Sequence, residues 1–523
     1  MSSATFAGFE VAKRGISAAR VGLEVTGNNM TNSGTVGYTR QRVDQVSIAP
    51  TSLHLRYASG SPAVGEGTEV TSVSQLRDPY LDIRYRAQNE KCGDASVQLA
   101  TLYNIQNVFN EIQSDGVDTQ FSEMIEQLHT LADNPGSSSA EAILKTSASM
   151  LTKIFNSYSE QLQTAYDQTA DDFTQNAVPT VNDLLKSIAA LNKQIRSNQI
   201  AGNSSLELQD QRNLLIDSLS EYVNVEVVTA SVYIGGGRSV DELSINLKGE
   251  NGEKFTLVDN DEYNQLGVSG TYGDYAVSLL DSKGNPIASS NDGSLLLSSG
   301  DITGQMTGGG IAGYLKMLNG QGEYASSGTE ARGIPYYQNL LDTLASNFAN
   351  TFNAANSTNS TPPYDLPLFE SSDGGNITAA SIQISEKWQN STSAYITCTK
   401  QSTVDGSVGN ENVLYMITLF DTDNQFATGG GTPLFTGTFQ EFLTNINTTA
   451  GLEYSQINRE YNTYTAVLTD IDTQRASVSS VSLDDEGINL ISYNHALTAA
   501  SRLMTTLDEA LDTIINGMGI VGR

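Results

Sequence analysis

The 523-residue sequence predicts a mainly α-helical protein that carries inserted β domains and is closed by a coiled coil of its two ends. Three observations predict this fold class. Both termini repeat apolar residues at alternating steps of three and four, long amphipathic stretches fill much of the middle, and two Gly-rich segments interrupt them. We therefore expect an elongated helical-bundle domain between the terminal α-helical coiled coil and two smaller β-rich insertions.

Both ends of the chain carry a heptad-like repeat. The seam positions of the N-terminal repeat are Phe9, Ala12, Ile16, Ala19, Leu23, Thr26 and Met30. Those of the C-terminal repeat are Leu490, Tyr493, Leu497, Ala500, Met504, Leu507, Leu511, Ile514 and Met518. Steps of three and four place each set on one face of a helix, so we expect the two ends to pack lengthwise. We predict that the large side chains of both seams form a subunit interface.

Amphipathic segments between the two ends predict a helical rod domain. One helix is indicated by Ile143, Met150, Ile154, Tyr158, Leu162 and Ala165. Another is indicated by Val181, Leu184, Ile188, Leu191 and Ile195, with Pro179 in its first turn. We assign the helical rod domain to residues 37–222, 305–358 and 440–483. The terminal coiled-coil domain takes residues 1–36 and 484–523.

Two segments break the helical pattern and predict insertions. Residues 223–304 begin with the alternating run Val223–Val228 and continue through Gly-rich turns, which is typical of a small β domain. Residues 359–439 are rich in Gly, Thr and Pro and predict a second β-rich domain. The resulting order of helix, β, helix, β, helix is nested, so helical segments from both halves of the chain are expected to share one bundle.

Charge and composition exclude several classes of partner. The net charge of −31 and the pI near 4.3 argue against nucleic acid and anionic membranes, which both need clustered Lys and Arg. Basic side chains outnumber acidic ones in residues 1–56, whereas acidic ones dominate residues 484–523, and this favours pairing of the two ends. No apolar run approaches the ~18 residues that a membrane span needs, and no cleavable signal peptide is evident, so export would require another route.

Residues that could carry catalysis or bind a cofactor or metal are scattered. Cys92 and Cys398 lie far apart and predict neither a disulfide framework nor a metal cluster. The three histidines also stand in unrelated contexts; they are His54, His129 and His495. Gly308, Gly310 and Gly313 match a dinucleotide fingerprint, but no strand-helix-strand context surrounds them. We therefore expect no enzyme, no cofactor and no metal site.

One polar motif follows the N-terminal repeat. Its defining members are Asn28, Asn29, Asn32, Gly37, Tyr38 and Arg40. This motif resembles the signature of bacterial flagellar rod, hook and hook-associated proteins, and the Thr39-Arg40-Gln41 continuation is similar to the hook-associated protein 1 family. Two further stretches, Asp210–Leu215 and Ser482–Asn516, are similar to motifs of the same family and occur in the same order.

The resemblance implies a structural role. Proteins of this family form a ring of subunits that joins hook to filament, with the terminal coiled coil lining the inner tube. The implied partners are further copies of the chain, the hook protein, hook-associated protein 3 and a type III export chaperone that binds the C-terminal arm. The implied location is the extracellular flagellum, reached through the flagellar type III export channel. Asn28, Asn29, Asn32, Gly37, Tyr38 and Arg40 are then hinge residues of the family motif.

Two other interpretations stay open at this point. A hook or distal-rod protein would belong to the same axial class, although the Thr39-Arg40-Gln41 continuation and the long helical block at 80–222 fit it poorly. A surface adhesin or calcium-binding β protein could use the insertions at 223–304 and 359–439, but it leaves the terminal heptads unexplained. We also expect residues 1–36 and 484–523 to be largely disordered in the monomer and to fold against neighbours.

Overall fold

The computed structural model describes residues 3–49, 65–235, 238–291, 293, 295–325, 331–357, 366–392, 394–399, 409–429, 431 and 433–517. His54, Met518 and parts of the second insertion, residues 359–365 and 400–408, lie outside these ranges.

The α-helices are α1 (Ser3–Thr31), α2 (Pro79–Asp115), α3 (Val117–Asp133), α4 (Ser138–Asp171), α5 (Val178–Ala201), α6 (Leu206–Tyr222), α7 (Gly309–Asn319), α8 (Ile334–Asn356), α9 (Glu386–Gln389), α10 (Glu411–Thr418), α11 (Phe439–Ser479) and α12 (Leu483–Asp512). The strands are β1 (Gln41–Ser47), β2 (Thr68–Gln75), β3 (Val225–Gly235), β4 (Arg238–Lys248), β5 (Lys254–Asp259), β6 (Glu262–Tyr263), β7 (Gln265–Ser269), β8 (Ala276–Leu280), β9 (Phe369–Ser371), β10 (Ile382–Ile384), β11 (Asn424–Ala427) and β12 (Pro433–Gly437). The predicted fold class, mainly α-helical with β insertions, is confirmed, and the structure shows that the sheets are small and antiparallel.

Helices α2 and α11 form the long antiparallel pair of the helical body. Asp78 caps the start of α2 and Pro79 occupies its first turn, while Thr438 and Glu441 form a capping box at the start of α11. The ring centroids of Tyr103 and Tyr454 lie 6.1 Å apart along this contact. Segments separated by more than 300 residues therefore share one bundle, as the nested order of elements predicts.

The chain stays helical from α4 into α5. A π-helical turn at Asp172–Ala177 connects them and precedes Pro179, which has no N–H to donate to the preceding turn. Pro179 thus lies in the first turn of α5, as expected, and Gly202 ends that helix at φ +82°.

The predicted face of α4 is partly wrong. Ile143 and Met150 are exposed, whereas Leu144, Leu151 and Phe155 are buried. Apolar side chains occupy two adjacent stripes of this helix, and the periodicity alone does not distinguish them. The neighbouring elements decide which stripe is covered.

The first insertion is a four-stranded antiparallel sheet, in the order β3-β4-β5-β6, beside the hairpin β7-β8. Helix α5 holds it through side-chain amides: Asn182 Nδ2 donates to Leu266 O at 2.9 Å and Asn192 Nδ2 donates to Asn260 O at 2.7 Å. These hydrogen bonds fix the sheet to the helical body.

The second insertion combines the ribbons β9-β10 and β11-β12 with the short helices α9 and α10. Glu141 on α4 is 4% exposed and anchors this region: it accepts from Trp388 Nε1 at 2.9 Å and from Tyr395 N at 3.0 Å. A buried carboxylate needs such donors, because an unpaired one would cost several kcal/mol.

Among the described residues, no helix is both long and apolar enough to cross a lipid bilayer.

Candidate functional site at the chain termini

Helices α1 and α12 pack against each other in antiparallel orientation. The contact is made where three glycines of α1 face larger residues of α12: Gly8 faces Leu507, Gly15 faces Ala500 and Gly22 faces Tyr493. We call Gly8, Gly15 and Gly22 the glycine stripe. Each step of seven along α1 matches a step of seven back along α12, which is the heptad register of two helices in lengthwise contact.

The glycine stripe allows a close approach of the two helices. A Cβ atom added at Gly22 would lie 2.5 Å from the Tyr493 ring, and one at Gly8 would lie 3.0 Å from Leu507 Cδ1. Small buried residues follow each glycine by four positions, namely Ala12, Ala19 and Thr26. The α1 side of the contact is therefore made of small residues, and the α12 side provides most of the larger ones.

The predicted C-terminal seam coincides with the covered face of α12. Half-buried positions between Tyr493 and Leu511 recur at its spacing; they are Tyr493, Leu497, Ala500, Met504, Leu507 and Leu511. The two outermost predicted members, Leu490 and Ile514, are exposed. Most of the C-terminal seam thus lies at the intramolecular contact, and its role between subunits stays a prediction.

The predicted N-terminal seam is divided. Its small members are buried, whereas its large members are half-buried. Phe9, Ile16 and Leu23 each come directly after a glycine of the stripe, and Met30 comes directly after Asn29. Sequence reasoning missed the glycine stripe, although glycines spaced by seven residues are visible in the sequence. Glycine is a poor helix former, so its regular recurrence in a helix indicates a close contact.

The outer face of α12 carries exposed apolar side chains. Ile488 is 67% exposed, Ile491 is 57% exposed, and Ile515 in the following π-helical turn is 70% exposed. The half-buried large residues of α1 flank the same helix pair. Two helices alone therefore leave apolar surface uncovered.

The polar motif begins where α1 ends, and Asn29 is its centre. The Asn29 amide donates from Nδ2 to Gln41 O at 2.9 Å and accepts from Gln41 N at 2.9 Å through Oδ1. The Tyr38 hydroxyl donates to the same Oδ1 at 2.9 Å. Asn29 is 1% exposed, so its side chain pairs the end of α1 with the start of β1 and satisfies buried backbone groups.

The other motif asparagines shape the turn after α1. Asn32 Nδ2 donates to Asn28 Oδ1 at 2.8 Å, and Asn28 Nδ2 donates to Glu207 Oε1 at 3.1 Å. Gly37 takes a φ of +78°, a conformation that favours glycine. These residues direct the chain from α1 toward α6.

The motif also contacts the Asp210–Leu215 stretch on α6. Asp210 accepts from Thr39 N at 3.0 Å and from Thr39 Oγ1 at 2.6 Å, and Glu207 accepts from Gln41 Nε2 at 2.9 Å. Burial raises the pKa of Asp210, and the two hydrogen bonds from Thr39 partly offset this shift. Two motifs that lie far apart in sequence are thus one structural unit.

Arg40 connects the motif to the C-terminal half of the chain. Its backbone N–H donates to Ser479 O at 2.8 Å, at the end of α11, and its Nε donates to Glu486 Oε1 at 2.7 Å, on α12. Asp485 lies 3.6 Å from Arg40 Nη1. Glu486 is 2% exposed, so this is a largely buried ion pair that holds the start of α12 against the motif.

An alternating charge network lies beneath the motif. Arg475 on α11 bridges Asp82 on α2 at 3.0 Å and Asp217 on α6 at 2.6 Å; Arg77 and Arg86 bind the outer sides of the same two carboxylates. Burial alone would lower the pKa of Arg475, but the carboxylates of Asp217 and Asp82 raise this pKa overall. A cleft of about 490 Å³ opens between this network and the motif loop. The network joins α2, α6 and α11 where the terminal helices meet the helical body.

The side chains of this site hold helices and the motif loop in position, and they provide few groups for catalysis. Among the described residues, no group of three or more His, Cys, Asp or Glu side chains could hold a metal ion. The fingerprint glycines serve packing: a Cβ at Gly308 would lie 1.9 Å from Glu90 Oε1, and one at Gly309 would lie 2.3 Å from Tyr222 O. They allow α7 to approach α2 and the end of α6.

The fold and this site define a mainly helical structural protein whose two ends meet in one helix pair. The family described as the flagellar hook-associated protein FlgK helical domain matches residues 102–362. Flagellar hook-associated protein 1 of Bacillus subtilis is 27% identical over 100% of both chains. The protein of that name from Salmonella typhimurium is 30% identical over 49% of this chain and 43% of its own length.

A solved structure shares the fold. The flagellar hook junction protein FlgK from Burkholderia pseudomallei superposes with a TM-score of 0.54 at 15% identity, covering 76% of this chain and 100% of that one. The chain belongs to the flagellar hook-associated protein 1 family, FlgK. It is accordingly a structural component of the bacterial flagellum, and its family is not a family of enzymes.

Proposed function

We propose that this protein forms the junction ring between the flagellar hook and filament. Several copies assemble side by side through their terminal helices, with the hook protein on one side and hook-associated protein 3 on the other. The flagellar type III system exports the chain, and an export chaperone binds the C-terminal arm, residues 484–523, before assembly. Membership of the hook-associated protein 1 family supports this assignment over a hook or distal-rod protein.

The uncovered apolar face of the terminal helix pair is the observation that carries the proposal. Covering a large apolar side chain contributes ~1.5–3 kcal/mol, so Ile488, Ile491 and the flank at Phe9, Ile16 and Leu23 favour association. The polar motif holds this pair at a defined place on the body through Arg40 and Asn29. A ring needs both features, because each subunit must present the same face in the same orientation.

A gene deletion tests the proposal directly. We expect cells that make hooks without filaments and shed flagellin into the medium, as seen by electron microscopy and by immunoblotting. Cells without hooks would instead assign the protein to the rod or hook. Normal filaments would exclude the axial role and favour an adhesin.

A surface variant tests the interface. Ile491→Lys places a charge on the outer face of α12, so we expect a folded protein that is exported but fails to support filament growth in the deletion strain. Leu452→Lys is the matched control, because Leu452 is an exposed apolar residue of α11, 66% exposed against 57% for Ile491, and lies on the helical body. Equal motility of the two variant strains would contradict an interface at this face.

A further inference from the structure

Strand β3 forms an open edge of the four-stranded sheet. It pairs with β4 from Val225 to Gly235, and no other strand of the described residues pairs with its outer side. Its side chains from Val228 to Ile234 are all exposed, and Val228 and Val232 are 45% and 39% exposed. From Val228 to Val232, such an edge presents unpaired backbone donors and acceptors to an extended chain.

The opposite edge of the same sheet is closed. Strand β6 pairs with the end of β5, Asn264 N donates to Leu257 O at 2.8 Å and Asn264 Nδ2 donates to Thr256 O at 2.6 Å. Asn291 N donates to Lys254 O at 2.8 Å, and Asn291 Oδ1 accepts from Thr256 N at 2.9 Å. The fold thus protects one edge against strand addition and leaves β3 available.

Beyond Glu226, which pairs with Lys254, the open edge has no charge. Residues 227–235 contain no Asp, Glu, Lys or Arg, in a chain whose net charge is −31. Side chains alternate between the two faces of a strand, so one face of β3 carries Val228, Ala230 and Val232. Asp241 of β4, which accepts a hydrogen bond from Gln199 of α5, lies on the other face of the sheet. Edge strands usually carry charges that prevent pairing, so an uncharged apolar edge indicates a partner strand.

We propose that β3 adds to β3 of a second copy of this chain, in antiparallel orientation about a twofold axis at Ala230. In this register Ala230 faces its own copy, Val228 faces Val232, and Thr229 faces Ser231. Directly opposite residues share a face, so the six side chains of Val228, Ala230 and Val232 from both copies form one apolar stripe. The two sheets then continue as one sheet of eight strands.

Three observations favour a second copy over another extended segment. The segment from Val228 to Val232 is self-complementary about Ala230, because every pair is uncharged and its apolar face matches itself. It ends before the register shift between Tyr233 and Gly235, so the paired part is regular strand. Since two chains of charge −31 repel each other, an uncharged strand is a surface through which they can approach closely.

The contact is distinct from the junction ring. A twofold contact uses the same surface on both copies, whereas a ring of more than two subunits uses two different surfaces. A strand pair of this length lies below the roughly 1,200 Å² of a stable interface, so the association is weak and reversible. Raising the salt concentration to 0.15 M strengthens this association, because it screens the repulsion between the Glu242 side chains of the two copies. These side chains lie about three strand spacings apart, ~14 Å, beyond the ~8 Å screening length at that ionic strength.

Cysteine cross-linking of the full chain tests the register. Ala230→Cys places two thiols at Cα atoms ~5 Å apart, within disulfide reach, whereas Val232→Cys on the same face places them ~14 Å apart. The native Cys92 and Cys398 are both buried. On mild copper-phenanthroline oxidation we expect a covalent dimer from Ala230→Cys, at least tenfold faster than from Val232→Cys. Equal rates, or no dimer from Ala230→Cys, would overturn the proposed pairing.

Sedimentation velocity supplies a second readout that does not depend on oxidation. We expect wild-type protein to shift toward dimer with rising concentration and rising NaCl, and Ala230→Glu to remain monomeric because two carboxylates meet on the axis. Ser239→Glu on β4 is the control, since Ser239 is exposed but does not lie on the open edge. Circular dichroism checks that each variant is folded. A wild-type monomer at every concentration would contradict the inference and leave the junction assignment unaffected.

Discussion

At the scale of single residues, side-chain amides and carboxylates carry the connections that the backbone cannot make. Asn29 pairs with both backbone groups of Gln41, and Asp210 receives both the N–H and the hydroxyl of Thr39. These contacts lie where regular secondary structure ends, so the backbone groups there have no helix or strand partner. The asparagines of the family motif are therefore explained by hydrogen bonding.

The Thr39–Asp210 contact yields a first prediction. Thr39→Val removes the hydroxyl donor and leaves the buried Asp210 with one fewer partner, so we expect a loss of about 1–3 kcal/mol in the free energy of unfolding. Urea denaturation followed by circular dichroism measures it. Thr35→Val on the same loop is the control, because Thr35 is exposed, and we expect a change below ~0.5 kcal/mol. Equal losses would assign the effect to the loop as a whole.

Glu90 yields a prediction about pH. Burial raises the pKa of Glu90 from its ordinary value of 4.5 to about 7. A raised pKa means that the folded state favours the protonated form, so the contribution to stability is complete below pH 4.5 and is lost as the pH rises through 7. We expect Glu90→Gln to stabilise the protein at pH 8 by about 2 kcal/mol, since one pKa unit is ~1.4 kcal/mol and partial exposure reduces the effect.

Urea denaturation of Glu90→Gln and wild type at pH 4.5 and pH 8 measures this difference. The stabilisation should fall to about 0.4 kcal/mol at pH 4.5, where Glu90 is protonated in the folded state and half protonated in the unfolded state. Glu123→Gln, at an exposed position of α3, is the matched control. A gain for Glu90→Gln that is equal at both pH values would contradict titration of Glu90 as its cause.

At the scale of elements, the terminal contact depends on small residues. The sequence predicts a seam of alternating apolar residues, and the structure places the glycine stripe and Ala12 and Ala19 at the closest approach. The large members at Phe9, Ile16 and Leu23 lie one position away, half-covered. The N-terminal helix therefore presents two adjacent surfaces, one used within the chain and one available for neighbours.

Two glycine substitutions in α1 should have opposite effects. Gly22→Ala places a Cβ 2.5 Å from the Tyr493 ring, so we expect separation of the helix pair and a loss of stability. Gly27→Ala meets no atom within 4 Å in the same helix, so we expect a gain of up to ~1 kcal/mol from helix propensity. Hydrogen exchange of the α1 amides in the assembled protein measures both changes. Restoration of the Gly22→Ala variant by Tyr493→Ala would confirm the contact.

At the scale of the whole molecule, the terminal helices differ from the body in what covers them. The body carries an extended core that includes Phe121, Phe348 and Phe439, whereas α12 has a single buried residue among those described, Glu486. Helices with so few buried apolar side chains gain little from packing, and isolated helices are marginal in water.

Hydrogen exchange of the monomer tests this difference. We expect amides of α1 and α12 to exchange within seconds in dilute monomer, and those of α4 and α8 to remain protected for hours or longer. Assembly with further copies should then protect both terminal helices. Strong protection of α1 and α12 in the dilute monomer would show that the two-helix contact suffices, and it would contradict folding on assembly.

The sequence by itself determined the elements and the family. Heptad spacing, amphipathic periodicity and the Asn28–Gln41 motif are local signals, so they predict helices and the resemblance without knowledge of neighbours. Only the tertiary structure decided which stripe of α4 is buried and which face of α1 meets α12. It also revealed the contact of Thr39 with Asp210 and of Arg40 with Glu486. These features depend on residues hundreds of positions apart, and a local pattern does not record what will pack against it.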